Sequence, residues 1–191
     1  MLNELLFRFA QWLDTHQWST GLHESYYMYG WVESTHVLTL MLFLGMLVVI
    51  DLRMLGVAFK DTPVSTIADR LDKPMMIGFT VMVVTGFVLF YAIPVRTTTS
   101  IWFRIKVVLI IAAAINVFLL RRVIKKSGHT WDNDPVPPKR IRIAAGLSIA
   151  FWTGVIMTGR MIAYDWWDCH KEMPYFMYWA AGCVNELAAY E

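Results

Sequence analysis

Glu33 and His36 stand three residues apart, the spacing that places two side chains on one face of a helix. A carboxylate beside an imidazole in an apolar helix can do chemistry. A neutral imidazole ligates haem iron or donates a hydrogen bond, and the carboxylate orients the ring or accepts a proton. Histidine titrates near neutrality, so such a neighbour tunes it across the working range. Ionisable groups at membrane depth are costly and usually face the bundle or a water-filled pocket. Arg104, Lys106 and Arg160 bring three cations to the same end of other apolar stretches, where they suit haem propionates or a quinone anion. Arg104 and Lys106 are two apart and point to different faces, so one of them is expected to look inward. Snorkelling of these long side chains to the interface is the alternative. His36 is the one histidine inside a span. A second haem ligand would have to come from His16, His23, Met28, Met41, Met46 or Met161, and methionines in membrane helices are more often packing residues.

Other groups carry weaker signals. Cys169 and Cys183 are the two cysteines. In an oxidising compartment they are expected to form a disulfide stapling the stretch around Trp166 to a terminal helix, the alternative being two free thiols at a lipid interface. The run Asp168, Cys169, His170 has the donor types for copper or zinc but no metal-ligand spacing, and a hydrated acidic surface is the expected reading. Gly146, Ala150, Gly154 and Thr158 recur at four-residue spacing, as do Gly78 and Gly86 at eight, a pattern that lets helix backbones approach and suits contact with other membrane subunits. No nucleotide-binding glycine motif, nucleophile elbow or carboxylate dyad is present.

The elements that must position these residues follow from composition. Of the 191 residues 57% are hydrophobic and 17% charged, against roughly 45–50% and about 25% in soluble domains. The mean hydropathy is +0.47. A net charge of +2 gives no basis for nucleic-acid binding. The apolar residues gather in four stretches, 31–55, 75–94, 101–120 and 143–162, each near the ~20 residues that cross a bilayer as a helix. The expected fold is all-α, a four-transmembrane-helix bundle in the lipid bilayer. Residues 1–27 read as an interfacial amphipathic helix, with Leu2, Leu5, Leu6, Phe9, Trp12 and Leu13 on one face. The tail 165–191 reads as a second interfacial segment whose helix Pro174 begins, a fifth span being interrupted by Glu186 and Glu191. The run from Lys125 to Arg140, with Pro135, Pro137 and Pro138, reads as a polar loop.

Lysines and arginines set the orientation. Eleven of the 17 lie between spans one and two (Arg53, Lys60, Arg70, Lys73) or three and four (Arg121, Arg122, Lys125, Lys126, Lys139, Arg140, Arg142). Those segments are expected in the cytoplasm of a bacterial cell, both termini in the periplasm, and the protein in the inner membrane.

Three stretches together carry a resemblance. They are Glu33-Ser-Thr-His36-Val-Leu with Gly45 and Asp51-Leu-Arg53-Met-Leu-Gly56; Phe103-Arg104-Ile-Lys106; and Gly159-Arg160-Met-Ile-Ala-Tyr164. The chain resembles a group of small bacterial four-helix membrane proteins. Over roughly residues 31–164 it is distantly similar to membrane-bound, haem-containing protoporphyrinogen oxidase and to copper-resistance D proteins. The resemblance to the oxidase implies a functional histidine on the first span and a functional lysine on a later one, here His36 and Lys106. Related sequences carry a histidine near the end of span three, where this chain has Leu119, Leu120, Arg121 and Arg122.

The leading expectation is a small redox-associated subunit that binds haem b or a quinone near the outer leaflet, with His36 as ligand or donor, Glu33 as its orienting or proton-accepting partner, and Arg104, Lys106 and Arg160 as counter-charges. A cofactor-free accessory subunit and a copper-handling protein are the alternatives.

Overall fold

The computed structural model describes residues 2–25, 27–164, 169, 172 and 174–183, without the side chains of 121 and 124–129. The described residues form eight helices and no strand. These are α1 (Leu2–Asp14), α2 (Gln17–Glu24), α3 (Met28–Leu55), α4 (Val64–Ala92), α5 (Pro94–Thr98), α6 (Ile101–Trp131), α7 (Lys139–Tyr164) and α8 (Tyr175–Ala181). The long helices α3, α4, α6 and α7 are each long and apolar enough to cross a membrane, as the four stretches predict. Their surfaces carry large apolar side chains, among them Met41, Phe87, Ile111 and Met157, the outside expected of a protein whose solvent is hydrocarbon.

The helix boundaries differ from the expected stretches, α4 for one beginning at Val64 rather than at 75. Residues 1–27 form two helices rather than one, the chain turning at Thr15 and His16. The stretch after Leu120 stays helical to Trp131 instead of opening into a loop. Its arginines and lysines are good helix formers, and no proline interrupts it before Pro135. A short helix, α5, fills the connection after the second span, with Pro94 at its first position where a missing N–H is harmless.

The chain divides into two compact units, and each long helix contributes one end to each. Unit 1 comprises Met1–His36, Val83–Val108 and Ile156–Glu191; unit 2 comprises Val37–Met82 and Leu109–Val155.

Unit 2 packs Phe43 of α3 against Phe79 of α4 and Trp152 of α7. Its far end is closed by Arg53, which has no exposed surface. Arg53 donates from Nε to the Thr62 carbonyl (2.6 Å) and from Nη2 to the carbonyls of Asp134 (3.0 Å) and Asp132 (3.3 Å), so one side chain holds both loops of this end. Asp132 in turn accepts from the Ser65 backbone N–H at 2.8 Å, satisfying a donor that the start of α4 leaves open. Gly56 ends α3 at φ +73°, with Val57 N–H bonding back to Leu52 and its own N–H to Arg53. A Cβ there would lie 3.2 Å from the Pro135 carbonyl, so glycine also permits the close passage of the second loop. Met54, Val64, Trp131, Ile141 and Ala145 form the apolar core beneath this clasp.

In unit 1, α1 packs on α5. Ser19 of α2 is buried and donates to the Tyr91 carbonyl at the end of α4 (2.7 Å). Leu2, Leu5, Phe9 and Trp12 of α1 remain exposed, the apolar face of the amphipathic helix expected there. Cys169 and Cys183 form a disulfide, buried with Ala181 against Ile101 and Tyr178. Pro174 precedes α8 as predicted, and Gly182 closes it at φ +80°. Tyr26, Trp166 and Trp167 lie outside the described residues, as do Asp168, His170 and the tail after Cys183.

Candidate functional site

His36 is half-buried on α3 and faces α4. Its Nδ1 lies 3.0 Å from the Thr85 hydroxyl. Its ring rests against Gly86, where a Cβ would come within 3.3 Å of Cε1. One half of the glycine spacing on the second span thereby acquires a reason: Gly86 makes room for an imidazole. A hydroxyl on one edge and bare backbone against the ring hold the histidine in one orientation, as an axial ligand or a hydrogen-bond donor requires.

Lys106 of α6 is also half-buried, with Nζ directed at Gly159 of α7. A Cβ on that glycine would lie 3.5 Å from the amine. Among the described residues Lys106 makes no ion pair or hydrogen bond. The stacking of Phe90 on Phe103, with ring centroids 5.5 Å apart, fixes the register of α4 and α6. These helices run in opposite directions on either side of α5. From that contact Thr85 and Gly86 lie about 7 Å along α4, and Lys106 about 5 Å along α6 in the same sense, at ~1.5 Å per residue. The backbone of Thr85 and Gly86 and that of Lys106 therefore lie at similar depth in unit 1.

The other three residues have different surroundings. Glu33 is exposed, and it and Arg96 both lie within electrostatic reach of the Tyr29 phenol. Arg160 is exposed and folds along its own helix, donating to the Tyr164 hydroxyl at 3.0 Å with its guanidinium 5.0 Å above that ring. Arg104 donates to Asn3 Oδ1 (2.8 Å), to the Ala180 carbonyl (3.1 Å) and to the Thr98 carbonyl (3.2 Å), tying α1 and α8 to the start of α6. Of the two basic residues at the start of α6, Lys106 is the one that meets α7 and Arg104 the one that holds the terminal helices. Among the alternative axial ligands, His16 contacts the Leu13 carbonyl and the Trp12 ring, His23 lies edge-on to Tyr29, and Met28 and Met41 are exposed.

The cysteine of the Asp168, Cys169, His170 run is joined to Cys183, so its sulfur is not a thiolate ligand. No group of three or more metal-ligating side chains occurs among the described residues. The four-residue stripe on α7 divides. Gly154 takes Leu109 of α6 against its backbone and Thr158 is buried, whereas Gly146 has open space around it and Ala150 is exposed.

Residues 12–165 match a protein family described as a family of unknown function, DUF6644. The chain belongs to this family. No curated protein and no solved structure matches it. The matched region takes in all four long helices, and with them His36, Lys106 and the Arg53 clasp, while α8 and Cys183 lie beyond it.

Sequence reasoning passed over one polar group in the interior of unit 2. Asp51 and Ser148 are each under 5% exposed and hydrogen-bonded to one another between α3 and α7. Asn116 of α6, also buried, donates to the Ala144 carbonyl one turn away at 2.9 Å. The signal was present, since Asp51 and Arg53 close an otherwise uncharged run.

Proposed function

We propose that the chain is a small integral subunit of a membrane redox complex and that its ligand, haem b or a quinone, is held in unit 1 by His36 and Lys106. The observation that supports this is the fixed imidazole, with its Nδ1 on the Thr85 hydroxyl and its ring on the Gly86 backbone, at similar depth to the backbone of Lys106, whose amine has no described counter-ion. An ammonium group without a carboxylate is suited to haem propionates or to the anion of a reduced quinone. A bound haem or quinone would supply the electron-transfer chemistry, and these side chains would orient and neutralise it. Glu33, on the surface of the same helix face, serves proton exchange with the exterior or contact with a partner.

In this reading the protein sits in the bacterial inner membrane with both termini in the periplasm. The Lys/Arg distribution supports that orientation, and so does the disulfide, which suits an oxidising compartment. The purified protein is expected to show a Soret band or to release a quinone into organic solvent. His36→Ala should lose it while still inserting into the membrane. A preparation with neither chromophore nor quinone, in which His36→Ala changes nothing, would overturn the proposal.

A second reading, a cofactor-free accessory subunit, draws on the open surface at Gly146 and Ala150 of α7. Small residues with nothing packed on them leave room for a helix of another subunit. Gly146→Leu is expected to release the chain from its complex under this reading and to leave it bound under the first.

A further inference from the structure

Asp51 is 3% exposed, in the interior of unit 2. One carboxyl oxygen accepts from the Ser148 hydroxyl, and the other, Oδ2, is buried without a hydrogen-bond partner among the described residues. One turn along α7 from Ser148 stands Trp152, whose buried indole Nε1 also lacks an acceptor. One turn the other way is the Ala144 carbonyl that Asn116 engages. Three successive turns of one α7 face thus carry polar groups inside an apolar span; one of them, Trp152 Nε1, is unsatisfied, as is Asp51 Oδ2 on α3.

The charged groups of the surrounding elements do not neutralise Asp51. On α4, Asp69, Arg70, Asp72 and Lys73 are exposed. So are Arg122 on α6 and Lys139, Arg140 and Arg142 on α7. Arg53 shares the burial of Asp51 but donates to the carbonyls of Thr62, Asp132 and Asp134. No described lysine, arginine or histidine pairs with the carboxyl.

We propose that Asp51 is a proton-binding centre within the membrane span, the proton residing on Oδ2 while Ser148 donates to the other oxygen. An ionised carboxylate in hydrocarbon needs a cation or several donors, and this one has a single hydroxyl. Taking up a proton removes the charge and turns Oδ2 from an unsatisfied acceptor into a donor. A metal cation suits the site poorly. No second carboxylate, cysteine or histidine joins Asp51 among the described residues. The proposal is independent of the ligand assigned to His36.

Infrared spectroscopy of the detergent-solubilised full chain tests it at about pH 7, where ordinary carboxyls are ionised. A protonated-carboxyl C=O band is expected. It should move to lower frequency in D2O and on labelling with 4-13C-aspartate, and it should be absent from Asp51→Asn. Ser148→Ala should move the band to higher frequency, because the C=O loses its donor. Where Asp51→Asn fails to fold, the shift of the aspartate-sensitive band in Ser148→Ala assigns it to Asp51, and an unshifted band would overturn the proposal. Absence of an aspartate-sensitive protonated band from the wild type would overturn the proposal, as would its persistence in Asp51→Asn.

Discussion

Arg104 reaches Asn3 across 101 residues of sequence, its Nη1 lying 2.8 Å from the Asn3 amide oxygen. The same side chain amide donates from Nδ2 to the Trp179 carbonyl at 3.1 Å. Two side chains therefore join both terminal helices to the start of α6. Gly182 completes the arrangement, because its backbone passes where a Cβ would collide with the guanidinium.

This arrangement predicts that Arg104→Ala loosens both ends of the chain together. Charge-assisted hydrogen bonds contribute roughly 1.5–3 kcal/mol each, so the expected destabilisation is about 3 kcal/mol. Limited proteolysis should cut near residues 1–14 and 175–183 while the long helices resist. Gly182→Ala should behave alike, since it needs both a left-handed backbone and the space the guanidinium occupies.

The disulfide closes a loop whose ends are 14 residues apart. Constraining an unfolded loop of that size stabilises by about 3 kcal/mol. Protein denatured without reductant should present no free thiol. Cys183→Ser should lower the melting temperature of the tail and leave membrane insertion intact; two titratable thiols in alkylation-protected protein would contradict the bridge.

Arg53 is the residue whose loss should be felt most. Arg53→Lys keeps the charge but lacks the planar fork that reaches three carbonyls in two loops. A loss of about 3 kcal/mol or more is expected, from the abandoned carbonyls and a newly buried, poorly bonded ammonium. Thermal unfolding in detergent measures it. Ser65→Ala removes only a rim contact to Asp132 and should cost about 1 kcal/mol or less.

His36 should respond to its two neighbours in different ways. Thr85→Val removes the hydroxyl at nearly constant volume, and the 15N signals of the imidazole should move with little change in stability. Gly86→Ala presses a methyl on the ring at 3.3 Å and should displace it, at a cost of about 1 kcal/mol. Unchanged imidazole signals in both variants would show that this histidine is not held as described.

Orientation has its own test. A cysteine introduced at Ser127, in the cysteine-free background, should resist membrane-impermeant thiol reagents in intact cells. Labelling there without permeabilisation would reverse the topology inferred from the basic residues.

The long apolar helices were legible in the sequence because length and hydropathy suffice to specify a span. The disulfide was legible because the chain has two cysteines. Facing was not. In a membrane bundle the lipid side and the packed side of a helix are both apolar, so periodicity says little about which polar residue looks inward. Tertiary packing alone set Lys106 against Gly159 and sent Arg104 to the terminal helices, left Glu33 and Arg160 at the surface, and buried Asp51 and Arg53, which in the sequence close an otherwise uncharged run. The order of residues gives each side chain its depth, but only the neighbouring helices determine whether that depth means lipid, protein or an unpaired polar atom.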